Sequence, residues 1–229
     1  MLGENLGVCM YGLCLGEQPE AGLDGVAGGK LEYFRFGEFW ALVETGLDLG
    51  SLQNLKEESW IELALGYGRV QSHIFIKVKS MLPWSLRSAF FERMASLEQF
   101  LQAAEENFLT KLQGLEGWAE YSLVARFEQV EESFGEERLK GRAYFQLRKQ
   151  EFERQQQIGL QAKVIVELVQ AEVGRVGWEE PRLGEQLRAS VLLRVEELTQ
   201  TKERLRYWQG LNPGWKVELG EALPPYSFV

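Results

Sequence analysis

The 229 residues carry 25 basic and 34 acidic side chains, a net charge of −9 that opposes binding to nucleic acid or an anionic lipid surface, and no local basic patch is visible to override it. The 45% apolar content supplies material for compact cores at a length that fits one large or two small domains; two is the expectation. Nowhere do about 18 apolar residues run together, and the first basic residue, Lys30, comes too late for the positive start of a signal peptide, so a cytoplasmic protein with no lipid-membrane span is expected.

Gly7 to Leu15 is short and apolar and reads as a buried strand. Its cysteines, Cys9 and Cys14, stand five apart, so a regular strand sends them to opposite faces as reduced, unpaired thiols. Gly16 to Gly29 holds five glycines and Pro19, a flexible loop. Leu31 to Phe36 and Phe39 to Glu44 flank Gly37-Glu38 as a hairpin with a two-residue turn. Leu52 to Tyr67 reads as a helix, and His73 to Leu82, with Ile74, Ile76 and Val78 at period two, reads as a half-exposed strand.

Phe90, Met94, Leu97, Leu101, Ala104, Phe108, Leu112 and Leu115 fall at steps of three and four, the stripe of one long helix. Trp118 to Phe127 resumes as a strand and closes a first domain. Glu128 to Glu137, with five glutamates and Gly135, reads as a solvated linker or helix approach. Leu139 to Val173 is a proline-free helix whose centre, Gln150 to Gln157, has no apolar face. After the breakers from Gly177 to Gly184 come a strand at Leu187 to Val195, a helix at Glu196 to Gln209 with Leu198, Leu205 and Trp208 inward, and a strand at Trp215 to Leu219. The fold class expected is α+β in two domains: residues 1–130 as an elaborated ferredoxin-like domain, and 131–229 as a long helix plus β-α-β.

Catalytic arrangements fail in turn. His73 is the single histidine, and no Ser-His-Asp or Cys-His set forms around it. No cysteine-histidine cluster or calcium-loop spacing appears, so neither metal nor cofactor is expected. Gly28-Gly29-Lys30 resembles the end of a phosphate-binding loop, but Asp24 stands where that loop needs glycine, Leu31 where it needs a hydroxyl, and a strand follows instead of a helix. The neighbouring carboxylates Glu57-Glu58, Glu131-Glu132 and Glu179-Glu180 diverge on a helix or sit beside turns, and read as solvated surface.

Binding features are stronger. Tyr33, Phe34, Phe36, Phe39 and Trp40 crowd one hairpin whose two faces cannot both lie against a single helical layer, so one face is a candidate contact surface, although core packing competes at each position. Trp84, after Leu82-Pro83, and Phe90-Phe91 offer a second patch. The ending Pro224-Pro225-Tyr226-Ser227-Phe228 holds stiff, extended backbone, placing Tyr226 and Phe228 on one side to dock as a clasp across the domain junction.

That ending closely resembles the one shared by the GvpF/GvpL family of gas vesicle accessory proteins. Three further places agree in order along nearly the whole chain: Tyr11-Gly12 in the opening strand, Leu82-Pro83 followed by Arg87, and Gly141-Arg142-Ala143-Tyr144-Phe145 at the start of the long helix. Other family features are replaced: Lys56-Glu57-Glu58 stands where the family has a His-Glu pair, Trp84 to Ser88 where it has Arg-Phe-Gly, and Gly220-Glu221 where it has Gly-Pro. The resemblance implies a non-enzymatic, vesicle-associated protein that binds the hydrophobic shell protein GvpA, and other accessory proteins, as a chaperone-like adaptor or a minor structural component. The alternatives are a small-ligand binder or enzyme on a ferredoxin-like scaffold, marked by a deep pocket gathering His73, Arg87 and a buried carboxylate, and an RNA-binding module, which the charge balance disfavours.

Overall fold

The structure, a computed structural model, describes residues 6–18, 24–127, 141–173, 176–178 and 187–229. It is a mixed α+β fold with two antiparallel sheets. Contacts divide the chain into one unit of Met1–Ala119 with Leu223–Val229 and another of Glu120–Ala222. The sequence expectation put the boundary after residue 130. The difference arises because the strand from Trp118 to Phe127 joins the second sheet, and because the ending groups with the first unit.

The first sheet contains β1 (Gly7–Leu15), β2 (Lys30–Phe36), β3 (Phe39–Leu47) and β4 (Ser80–Pro83) in the order β2-β3-β1-β4, with the short β5 (Phe90–Phe91) also paired to β1. All these pairings are antiparallel. β1 is buried almost end to end because it lies between neighbours and has helices on both faces. On one face Val8, Met10 and Leu13 join Phe39, Ala41 and Val43 of β3 in a core with Leu97 and Leu101 of α3 (Met94–Ala103) and Phe108 and Leu112 of α4 (Glu105–Gly114). On the other face Tyr11 stacks on Tyr67 of α2 (Glu57–Phe75), ring centres 4.6 Å apart.

The pairing of β1 with β3 contains a bulge. Met10 opposes Val43 and Gly12 opposes Leu42, so Tyr11 is an extra residue that shares a face with Gly12. The insertion reverses the alternation downstream. Cys9 opposes Glu44 and Cys14 opposes Trp40, residues four apart on β3, so both cysteines point to the same face, contrary to the five-residue count. Both are buried and unpaired, as expected. Gly12 has its own steric reason: a Cβ there would come within 2.7 Å of the Leu82 carbonyl oxygen across the sheet.

The glycine-rich loop after β1 is anchored where a flexible connection is expected. The Glu44 side chain, fully buried, rises from β3 into the loop and accepts hydrogen bonds from the Ala27 and Gly29 N–H groups at 2.9 and 2.6 Å. The Tyr11 hydroxyl donates to the other carboxylate oxygen at 2.6 Å and accepts from the Val26 N–H at 3.1 Å. Gly25 and Gly29 are close to the carboxylate; an added Cβ at Gly25 would lie 2.1 Å from the Glu44 Cδ, so bulkier residues would push the loop off. The loop does cradle an anion, one supplied by its own chain.

Helix α2 takes the start of the expected strand at His73 to Leu82, of which only Ser80 to Leu82 is strand, in β4. Leu63, Tyr67, Val70 and Ile74 are buried at spacings of four, three and four, the helical face, whereas Ile76 of the apparent alternation is 71% exposed. Tyr67 Oη donates to the carbonyl groups of Met10 and Trp84 (2.7 and 2.9 Å), a donor shared between two acceptors, and Gln71 Nε2 donates to those of Tyr11 and Trp84 (2.6 and 2.9 Å). The helix runs through Ile74 and ends at Phe75, before Ile76 and Val78, and its buried polar groups tie it to the bulge. A short helix, α1 (Leu49–Gln53), precedes it and is capped by the Asp48 side chain. The expected long helix from Phe90 to Leu115 is instead β5, α3 and α4. The stripe is continuous in its packing, but at Ala104 the N–H bonds the Leu101 carbonyl three residues back, and the α-helical ladder is interrupted.

In the second unit the elements run β6 (Trp118–Phe127), α5 (Arg142–Val173), β7 (Val176–Trp178), β8 (Leu187–Arg194), α6 (Leu198–Leu211) and β9 (Trp215–Leu223), and the strands form a sheet of order β7-β8-β6-β9. Tyr121, Leu123 and Ala125 of β6 and Leu187, Ala189, Val191 and Leu193 of β8 are buried at alternate positions, with Ile165 of α5 among the buried apolar residues. Trp208 of α6 meets Trp215 edge-on at 6.5 Å. Leu198 and Leu205 are half-buried, in keeping with an inward face. The described side chains in the middle of α5 are exposed, as its composition requires. The linker at Glu128 to Glu137 and the pairs Glu131-Glu132 and Glu179-Glu180 lie outside the described residues.

Two outcomes follow. Glu44→Gln turns the oxygen facing the Tyr11 hydroxyl into an NH2 group while the other oxygen keeps the Ala27 and Gly29 N–H groups, so the Tyr11 O–H loses its acceptor. A stranded buried donor costs about 1–3 kcal/mol, and at roughly 4 °C per kcal/mol the melting temperature of the first unit should fall by roughly 4–12 °C. Glu44→Gln melting at the wild-type temperature would show that the carboxylate does not hold Tyr11 and the loop this way. The second concerns alkaline pH. Burial pushes the Cys14 thiol from its ordinary value of 9.0 up to about 12, and burial, then Glu44, raises Cys9 further. The unfolded chain releases these protons near pH 9 while the folded chain keeps them, so the associated stability is complete below pH 9 and is lost as pH rises toward 12. Denaturation midpoints measured from pH 7 to 11 should drop above pH 9, and less steeply, relative to its own value at pH 7, in Cys14→Ala.

Candidate protein-docking site

The hairpin aromatics do not form one surface. Residues paired across β2 and β3 share a face, so Phe34 with Ala41 and Phe36 with Phe39 point toward α3 and α4, while Tyr33 with Leu42 and Arg35 with Trp40 point the other way. Phe39 is fully buried and meets Phe108 edge-on at 6.4 Å; Phe34 and Phe36 pack against the same core. These three are core residues. Tyr33 and Trp40 are half-buried. The Trp40 indole N–H donates to the Gly16 carbonyl at 3.2 Å and its ring lies 5.6 Å below the Arg35 guanidinium. Tyr33 Oη is buried with no hydrogen-bond partner among the described residues, and burial raises its ionisation well above the ordinary tyrosine range.

Trp84 belongs to a different site. It follows β4, half-buried, with Phe100 of α3 and Phe108 of α4 edge-on to its ring at 5.4 and 5.9 Å, and its indole N–H donates to the Ser88 carbonyl at 3.1 Å. Its carbonyl is held by Tyr67 and Gln71, so the chain at this point is fixed by the network that fixes the bulge. Beside Trp84 lies an open groove of about 500 Å³, bounded by Leu82 and Pro83 of β4, Phe108 and Lys111 of α4, and Tyr226 and Val229 of the ending. Its lining is mainly apolar, broken by Ser85 and Ser88. Lys111 is the one charged side chain on it.

The ending reaches the groove in a form that differs from the extended clasp. Pro224 and Pro225 are buried, but Tyr226–Phe228 is a 3₁₀ turn: the Tyr226 N–H donates to the Pro224 carbonyl at 2.8 Å and the Phe228 N–H to that of Pro225 at 3.2 Å. The prolines have no N–H to offer a strand and Pro225 has a ψ of 62°, so the backbone turns where a straight run is expected. Tyr226 is 41% exposed and Phe228 half-buried.

The other motif residues have separate places. Tyr11 and Gly12 form the bulge, Leu82 and Pro83 face the groove, and Arg87 is exposed on a 3₁₀ turn, Leu86–Ser88. Gly141 precedes α5, on which the Arg148 Nε donates to Tyr144 Oη at 3.2 Å. His73 is half-buried in the last turn of α2. Glu44, Tyr67 and Gln71 were not among the candidates. Glu44 alone had a signal: a carboxylate in a strand run, Phe39 to Glu44, whose preceding residues are all apolar. No group of three or more His, Cys, Asp or Glu suited to a metal ion occurs among the described residues, and among them no helix is long and apolar enough to cross a membrane.

The family model for gas vesicle synthesis protein GvpL/GvpF matches residues 7–229. No curated protein sequence matches. Two crystal structures are similar in fold across nearly the whole chain: gas vesicle protein GvpF from Anabaena sp. PCC7120, at 14% identity and a TM-score of 0.69 over 97% of this chain and 95% of that one, and gas vesicle protein GvpF from Microcystis aeruginosa, at 13% identity and 0.65 over 97% and 98%. The match to the family model spans both units, from the first strand through the Pro-Pro-Tyr-Ser-Phe ending, and the chain belongs to the GvpL/GvpF family of gas vesicle synthesis proteins.

Proposed function

We propose that this protein acts in gas vesicle assembly by binding the hydrophobic shell protein GvpA, as a chaperone-like adaptor or as a minor structural component of the vesicle, and that it does so without catalysis. The observation that carries the reading is the groove beside Trp84: a mainly apolar lining, open to solvent, on a frame fixed by hydrogen bonds from the buried Tyr67 and Gln71 side chains. A partner for a very hydrophobic subunit needs an accessible apolar surface, and a net charge of −9 that keeps the complex in solution. The small-ligand alternative draws no support, since His73, Arg87 and Glu44 do not line the groove and the Glu44 oxygens are occupied by the loop and Tyr11.

Both units are versions of one ferredoxin-like plan in this reading. The second has the strand-helix-strand-strand-helix-strand order, and the first repeats its sheet order with the β1–β2 loop in place of the first helix and α3 and α4 added on the opposite face.

Co-expression with GvpA tests the function. The shell protein should co-purify with the intact chain and scatter less light than when expressed alone, and Ser85→Arg, an exposed groove-lining change, should lower its recovery several-fold. If GvpA neither co-purifies nor stays more soluble, the adaptor reading loses its basis.

A further inference from the structure

The Pro224–Val229 segment leaves the second unit through β9 and makes its contacts in the first. Its two prolines are buried there, and Tyr226 and Val229 form one wall of the groove whose other walls are Trp84, Phe108 and Lys111. The prolines restrain the backbone before it docks, so little entropy is lost when Tyr226 and Val229 take their places beside Trp84. The seat is shallow, since Tyr226 is 41% and Val229 46% exposed, and a short, half-exposed segment of this kind opens at much lower free energy than the core it rests on.

A surface complementary to a segment of its own chain is complementary to the same segment of every other copy. We propose that the Pro224–Val229 segment is exchangeable, docking beside Trp84 of a second copy when two copies are close, so that the groove is a self-recognition site that links copies of this protein. The closed monomer and the exchanged dimer make the same contacts at the groove. What separates them is concentration: a tethered segment sees its own groove at an effective concentration on the order of mM, so closed monomers prevail in dilute solution and exchange grows where copies are crowded on a common surface. The proposal is independent of GvpA binding, and its test uses this chain alone.

Two pools of full-length protein carry Ser88→Cys and Val229→Cys, both groove-lining positions, and a third carries both changes; Cys9 and Cys14 are buried and out of reach of the reagent. A short bismaleimide is added to each pool and to a mixture of the first two. The double variant should be joined within one chain. The mixture should yield a covalent dimer whose fraction rises several-fold with a tenfold increase in protein concentration and falls when excess free peptide of residues 223–229 is present. Failure of the double variant to join within the chain overturns the docking itself. Joining in the double variant with only monomers in the mixture, even at the highest concentration, overturns exchange. A dimer that the free peptide does not suppress also overturns it, because the contact then lies elsewhere.

Discussion

A carboxylate in the middle of a buried sheet face organises the first unit. Glu44 takes its hydrogen bonds from the loop between the first two strands and from the bulged tyrosine of β1, so three stretches far apart in sequence meet on two oxygen atoms. Desolvating such a group is costly unless donors surround it, and here they do. The same requirement explains the loop's composition: glycine at positions 25 and 29 leaves room for the side chain, and peptide N–H groups do the binding. What looks like the remnant of a nucleotide-binding loop is a internal anion cradle.

From that cluster a chain of contacts leads to the groove. Tyr11 stacks on Tyr67; Tyr67 and Gln71 then reach the Trp84 carbonyl, and the Trp84 ring rests on Phe100 and Phe108. The aromatic edge proposed to meet a partner is therefore set by polar groups on the opposite face of the sheet. Such an arrangement favours a rigid surface, since the backbone under Trp84 cannot shift without breaking two hydrogen bonds from the buried Tyr67 and Gln71 side chains.

Much of this was legible in the sequence, and the misreadings have specific causes. The first strand, the Gly37-Glu38 turn of the hairpin and the strand from Trp118 lie where their apolar patterns place them, because propensity, period and turn chemistry agree there, while the hairpin's second strand runs three residues past Glu44 to Leu47. His73 to Leu82 was misread because three branched residues alternate by coincidence at the end of a helix; the deciding residues, Tyr67 and Gln71, are buried polar groups whose partners are about 60 positions back in the chain, at Met10 and Tyr11. The aromatic hairpin was seen, but its division into a core face and an outer face depends on where α3 and α4 pack. Trp84 was found as a candidate; its groove was not, because one wall comes from the chain's last residues and the other from α4.

The bulge at Tyr11 also sets how β1 can vary. Upstream of it the odd-numbered Cys9 shares a face with Glu44, and downstream the even-numbered Cys14 occupies that same face, so the strand carries two opposite parities joined at one residue. Losing that single residue would leave Met10 beside Gly12 in a regular strand, with Met10 and Leu13 still on their core face, at the loss of the Tyr11 contacts to Glu44 and Tyr67. The bulge is therefore the one point at which β1 can change length and keep its faces: an insertion or deletion of one residue elsewhere along it would turn the residues beyond that point to the opposite face.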